Sequence, residues 1–482
     1  MSAAEQVGPP GQPLSGLRPV LAIREARVLL IAQATSDLGD QIARVAIALL
    51  VLERTDQLVL AALALAIAYV PGIFGMALLG SLADRLPRRA LMLWCDLSRA
   101  LLVALLALVA VPAIPVWVPL LILLLSETVT APFATARASL YADVLPDRER
   151  LVAAQGMSRS IQLSAQVVGF IVGGAAVALV GSRWALWFDA LTFLVSYVLV
   201  RRAVTPRPTA DVPGTSARLM ATDLRTAIRE LLGDPLRRWP VILGWTSAVF
   251  LVAPEAVALG YSEDQSPLVG GLLLAAVPAG SAVGLLLLPR LTLQRPSELA
   301  LPLAALSCLP LFATSINPPA AVAGALWFVS GVLQSFVLTL IALVTVLTRR
   351  ERRGRVLGLA ASGFNAATAV AFVLVGLLAG VVGPARAVSL AGAAGMLSVG
   401  VLWWWWPAGR LAVALSASDA EEALRERSTA LREQVAAQLA AEERVVLPVS
   451  PDDQPTIVLD RAEAAGSHPV PQDEPIAAAS DR

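Results

Sequence analysis

Apolar residues run along this chain in long blocks, parted by short polar segments. The blocks fall at about Val28–Leu52, Leu58–Leu82, Leu91–Val111, Val116–Ala136, Val152–Val180 and Leu186–Val200. After a polar gap come Val241–Tyr261, Leu268–Leu288, Ala300–Ser315, Ala320–Leu347, Val356–Val382 and Ala387–Trp406. Most approach or exceed the roughly 20 residues that a helix needs to cross a bilayer. None shows the strict period-two alternation of a barrel strand, and lipid admits only helices and closed barrels. The pattern therefore predicts an all-α integral membrane protein of twelve transmembrane helices.

Arginine placement orients these spans. The segments after the even spans carry Arg85, Arg88 and Arg89, then Arg137, Arg148 and Arg150. They go on with the run from Arg201 to Arg238, with Arg290 and Arg295, and with Arg349 to Arg355. The opposite segments hold only Arg54, Arg183 and Arg386. The positive-inside rule then places the even loops and both termini in the cytoplasm, with the chain in the cell membrane.

The polar segments divide the chain further. Residues 1–23 are Gly/Pro-rich and precede a block too long and too polar for a signal-peptide core, so they read as a cytoplasmic N-terminal segment. Residues 24–200 form one six-helix half and 241–407 the other. Between them, 201–240 is a linker whose second part, DLRTAIRELLGDPLRRW, has the pattern of a short amphipathic helix lying on the membrane surface or the bundle. Residues 408–482 form an acidic cytoplasmic tail. Leu424, Leu431, Val435 and Leu439 share one helical face there, and the composition beyond Pro448 is that of disorder.

The two halves resemble each other. RLVAAQGMSRSIQLSAQVVGFIVGG begins at Arg150, and RVLGLAASGFNAATAVAFVLVGLLAG begins at Arg355. PGIFGMALLGSLADRLPRR begins at Pro71, and PAGSAVGLLLLPRLTLQRP begins at Pro278, at nearly the same offset. Matching Pro, Gly and loop Arg point to duplication, and repeats with a binding site between them are a transporter architecture.

Ionisable groups at mid-membrane cost about 2.5–3.5 kcal/mol each on insertion scales, so each requires a reason. Span 1 holds Asp37, Asp40 and Arg44 on one helical face, with Gln33 a turn earlier. Span 4 adds Glu127, and span 5 adds Arg159, Gln162 and Gln166. Asp189 and Glu255 follow in spans 6 and 7, and Gln334 and Asn365 in the second half. These groups are expected to line a central cavity. Two roles compete for them. In the structural role, Arg44 neutralises Asp40 or Asp37, and Arg159 neutralises Glu127. In the functional role, one carboxylate stays unpaired and carries a proton, with Asp40 or Glu127 in front.

Composition narrows the chemistry. The chain is 57% hydrophobic and 15% charged, against about a quarter charged in a soluble domain. Its net charge of +1 gives no reason to expect a nucleic-acid partner. Every strong cation is Arg, so no P-loop lysine exists to drive an ATP-powered pump. Cys95 and Cys308 sit in separate apolar runs, and the single His468 lies in the tail. No metal site, cofactor or nucleophilic catalytic set is expected, so the chain is not read as an enzyme.

The segment GSLADRLPRR, Gly80 to Arg89, resembles the loop signature Gly-x-Leu-Ala-Asp-Arg-x-Gly-Arg-Arg of the major facilitator superfamily, with Pro87 in place of the second Gly. The resemblance extends over residues 24–407 and implies two pseudo-symmetric six-helix halves. It also implies a latch on the cytoplasmic side made by Gly80, Asp84, Arg85, Arg88 and Arg89, with Asp84 facing the start of span 11 near Arg355. SDLGDQIARVAIALLVLERT in span 1, DLSRALL in span 3 and FLVAPEAVAL in span 7 are similar to drug:proton antiporters and macrolide- and siderophore-efflux exporters. GFIVGG, Gly169 to Gly174, resembles the antiporter pattern Gly-Pro-x-x-Gly-Gly, with Phe170 replacing Pro. The expected function is proton-coupled efflux of a small amphipathic organic compound by a monomer in the lipid bilayer. Acids around the cavity would suit cationic or neutral molecules. Symport for uptake and a non-transporting membrane sensor or scaffold are the alternatives.

Overall fold

The computed structural model describes residues 17–74, 86–145, 147–207, 225–226, 228–287, 296–349 and 352–415. After a short helix at Leu17–Ala22 come α1 (Arg24–Thr55), α2 (Leu58–Ile67, resumed as Val70–Phe74) and α3 (Arg88–Val109). Next are α4 (Trp117–Val144), α5 (Arg148–Val180) and α6 (Ser182–Ala203). The second half comprises α7 (Pro235–Tyr261), α8 (Pro267–Leu287), α9 (Pro296–Ala313), α10 (Ala320–Val346), α11 (Arg353–Val382) and α12 (Pro384–Trp405).

Ten of the described helical stretches are long and apolar enough to cross a membrane. α1 has the length but is set apart by Asp37, Asp40 and Arg44, and α2 is described as two short pieces; these complete the twelve. Leu179, Leu286, Val381 and Trp404 are among the large apolar side chains left on the outside of the bundle. That arrangement suits lipid as the solvent, where an outward apolar face costs nothing.

Three helices break where proline dictates. Pro71, Pro132 and Pro254 each remove a backbone donor and crowd the preceding turn. α2 is interrupted after Ile67, α4 at Val129 and α7 at Val252, two to four residues ahead of the ring in each case. Asp234 caps the start of α7 by accepting from the Leu236 amide at 2.9 Å, with Pro235 in the first turn.

The halves repeat in packing as they do in sequence. α1 packs on α5 and α6, and α3 packs on α4 and α6; α7 packs on α11 and α12, and α9 on α10 and α12. The contacts between halves, α5 on α8 and α2 on α11, also exchange under this shift. Gly174 and Gly271 make the α5–α8 crossing. A Cβ on Gly271 would lie 2.4 Å from the Phe170 carbonyl oxygen, and one on Gly174 would lie 2.6 Å from that of Pro267. Only hydrogen at both positions lets the backbones approach this closely. Between the halves, the linker residue Leu231 is fully buried against Val241, Val344 and Val356, and Glu230 pairs with Arg352.

The N-terminal half is built around a buried polar cluster. Arg99 of α3, only 2% exposed, forms an ion pair with Asp40 of α1 and lies over the Phe193 ring of α6, 4.1 Å from its centroid. Beside it Ser196 donates to Asp96 at 2.8 Å, and Thr192 donates to Asp189 at 3.2 Å. Gly39 leaves the room that the Asp189 and Thr192 side chains occupy against α1. This corrects the pairing expected from sequence: Arg99, not Arg44, neutralises Asp40. The DLSRALL segment puts Arg99 one turn after Asp96 on the face of α3 turned to α1 and α6.

Two outcomes test this architecture. Arg99→Ala strands the Asp40 carboxylate and should cost about 3–5 kcal/mol, read as lost folded yield in mild detergent. Adding Asp40→Asn should recover much of the yield; a double variant as unstable as the single one refutes the pairing. Gly271→Val should lower the melting temperature by overpacking the α5–α8 crossing, by about 1–3 kcal/mol, whereas Gly400→Ala, with nothing near its Cβ position, should be silent.

Candidate functional site

A cavity of about 690 Å³ lies between the two halves. Its N-terminal wall is polar: Gln41 and Arg44 from α1, Tyr69 at the break in α2, and Arg159, Gln162 and Gln166 from α5. The helical spacing of the α5 residues places them on one face, as the sequence pattern requires. The C-terminal wall is mainly apolar, with Trp245 from α7, Leu340 from α10 and Phe364 from α11, and Asn365 as its amide. The lining comes from the middle of α1 and of α5, the break in α2, the first halves of α7 and α11 and the last turns of α10. The Gly174–Gly271 crossing closes the bundle toward the other end.

Arg44 is the best-anchored charge in this wall. Its Nε donates to Glu127 Oε1 at 3.4 Å and its Nη1 to Gln41 Oε1 at 3.3 Å. Glu127 sits behind Arg44 on α4, with its side chain 6% exposed. Arg159 donates to Gln162 Oε1 at 2.6 Å and is not paired with Glu127. That corrects a second expected pairing: Arg44 serves Glu127, and Arg159 has no carboxylate partner among the described residues. Asp37 accepts from Gln33 Nε2 at 3.0 Å, and Gln33 also bonds the Ser158 carbonyl and accepts from its hydroxyl. These bonds tie α1 to α5 beside the cavity.

Of the groups expected to line one cavity, Arg44, Arg159, Gln162, Gln166 and Asn365 do so, with Glu127 one layer back. Asp37, Asp40, Asp189 and Glu255 are not among the described lining residues. Asp40 and Asp189 are turned into the α1–α3–α6 cluster, and Glu255 is buried in the second piece of α7, making no hydrogen bond among the described residues. Among the described residues, the cavity is therefore not lined by acids. Sequence reasoning missed Gln41, Tyr69 and Trp245 as lining residues and Arg99 and Asp96 as buried charges. The two charges sat in plain view within an apolar run, whereas nothing in periodicity distinguishes Tyr69 or Trp245 from core aromatics.

Gly80, Asp84 and Arg85 lie outside the described residues. Arg88 pairs with Asp143 at the end of α4, and Arg89 donates to the Arg201 carbonyl at the end of α6 at 2.7 Å. Both contacts stay within the N-terminal half. Arg355 stands in the first turn of α11. Among the described residues, the halves meet near this end where Ser362 donates to the Gly72 carbonyl at 3.3 Å and Asn365 packs against Gly72.

The fold has counterparts among known proteins. Over 250 residues the chain is 27% identical to an uncharacterized MFS-type transporter, YkuC, of Bacillus subtilis, covering 49% of this chain and 57% of that one. It is 31% identical over 156 residues to macrolide efflux protein A of Streptococcus pyogenes, covering 32% of this chain and 37% of that one. The matched regions thus span about half or less of these relatives. The crystal structure of the nucleoside transporter NupG shares the fold with a TM-score of 0.64 at 12% identity, covering 80% of this chain and 99% of that one. Residues 29–346 match the model of the Major Facilitator Superfamily, a stretch that takes in α1 to α10 and the α1–α3–α6 cluster, and the chain belongs to that superfamily.

Proposed function

We propose that this protein is a secondary active transporter that exports a small amphipathic organic compound of the drug, antibiotic or siderophore class, coupled to protons through alternating access. The observation that carries the reading is the cavity between two pseudo-symmetric halves, with the Arg44–Glu127 pair in its polar wall. A polar wall facing an apolar one suits an amphipathic solute. The likeness to a macrolide efflux protein supports export.

The Arg44–Glu127 pair supplies a means of coupling. Ionised Glu127 holds Arg44 by charge and hydrogen bond. A proton on Glu127 removes the charge and releases the guanidinium into the cavity. Solute binding and proton binding then act on one element with two arrangements, as coupled transport requires. In this reading Glu127 carries the proton. Asp40, held by Arg99, has the structural role.

The same pair supports a second reading. If the solute binds the released Arg44, proton and solute load together, which is the logic of symport for uptake. Proteoliposomes under an imposed pH difference separate the two. Exchange concentrates solute on the side from which protons are drawn, and symport concentrates it on the side that protons enter.

Glu127→Gln should abolish pH-driven accumulation while permitting downhill counterflow, because the cavity keeps its shape and Arg44 keeps a hydrogen-bond acceptor. Undiminished pH-driven accumulation in that variant, at matched protein density, would refute Glu127 as the proton carrier.

A further inference from the structure

Both charged side chains of the described cavity lining are cations. Arg44 and Arg159 are there, and no Asp or Glu is. The acid nearest the wall, Glu127, is screened by Arg44 and almost wholly buried. Arg159 is exposed in the cavity, and among the described residues its one hydrogen bond goes to a neutral amide, Gln162. The arginines occupy the Gln41 and Gln162 carbonyl oxygens, which leaves the NH₂ group of each amide as the function still to be used. The polar wall is thus richer in donors than in acceptors, with the Gln166 amide and the Tyr69 hydroxyl offering both. Across from it, the Trp245 indole N–H is already spent on the Ala360 carbonyl at 2.9 Å, so that wall offers rings, methyl groups and the Asn365 amide.

A cationic solute has no place in such a site. It would meet two guanidinium groups with no exposed carboxylate to offset them. An anion gains charge-assisted, bidentate hydrogen bonds from Arg159. It also solves a problem that alternating access creates. Closing the cavity strips water from Arg159, and an unpaired buried charge is costly, so a bound anion favours the closed state over an empty one.

We propose that the cavity binds an organic anion, with its carboxylate-like headgroup on Arg159 and its apolar or aromatic body against Trp245, Leu340 and Phe364. The inference rests on the transport reading only in taking this cavity as the solute site, and it revises the cationic or neutral solute expected from sequence. It assigns Arg159 as the residue that selects charge.

The test uses purified full-length protein in neutral detergent and three probes with one aromatic body: naphthoate, its trimethylammonium counterpart and neutral naphthamide. Thermal stabilisation is measured against probe concentration. Naphthoate should stabilise most and the ammonium probe least. Arg159→Gln should weaken the apparent naphthoate affinity about tenfold or more, the scale of one charged hydrogen bond, with Arg159→Lys in between. The melting temperature without probe reports whether each variant is folded. If Arg159→Gln is unfolded, Arg159→Lys is read in its place: naphthoate affinity should fall while the naphthamide response stays unchanged, and an unchanged naphthoate affinity overturns the proposal. Stabilisation by the ammonium probe above naphthoate, no naphthoate response at all, or an unchanged response in Arg159→Gln overturns the proposal. Naphthoate binding without counterflow in vesicles would refute transport and leave the anion site standing.

Discussion

The N-terminal half depends on the placement of one guanidinium. Arg99 is almost completely buried in a bundle whose solvent is lipid, where an unpaired charge has no water to retreat to. Asp40 from α1 and the Phe193 ring from α6 give it a partner and a face. That contact fixes the rotation of α1: with Asp40 drawn toward α3 and α6, the neighbouring Gln41 and Arg44 are turned toward the cavity. Asp96 and Asp189, held by Ser196 and Thr192, fill the rest of the cluster.

The cavity inherits an asymmetry from this arrangement. Polar side chains enter it from α1 and α5, where the N-terminal half already spends charge on internal pairing. The facing wall from α7, α10 and α11 is mainly apolar. Duplication thus preserved the helix packing and not the chemistry. The equivalent helix pairs carry Arg159 and Gln162 on one side and Leu357, Ala360 and Ala361 on the other.

Local backbone chemistry shapes the joints. Proline interrupts α2, α4 and α7 within the bundle, and two of these breaks, at Tyr69 and near Glu255, fall close to the contacts between halves. The glycine pair at Gly174 and Gly271 sets the separation of α5 and α8. Hydrogen on the facing Cα atoms leaves the crossing free of interlocked side chains.

Much of this fold was legible in the sequence because lipid imposes a one-dimensional rule. A span needs a long apolar run, loop arginines mark one side, and a broken run of Pro and Gly repeats when a half is duplicated. The twelve spans and the two halves follow from those signals, and the superfamily from the likeness of Gly80–Arg89 to its loop signature. The polar residues of α5 were also legible, because helical spacing puts Arg159, Gln162 and Gln166 on one face. What the sequence could not decide was partnership. Asp40 lies within a turn of Arg44, yet it pairs with Arg99, distant along the chain, because the rotation of α1 against α3 and α6 is set by packing. The same packing put Glu127 behind Arg44, left Arg159 without a carboxylate among the described residues and turned Asp189 away from the cavity. An ion pair depends on directions in space between helices, and the spacing of residues along one helix carries no record of them.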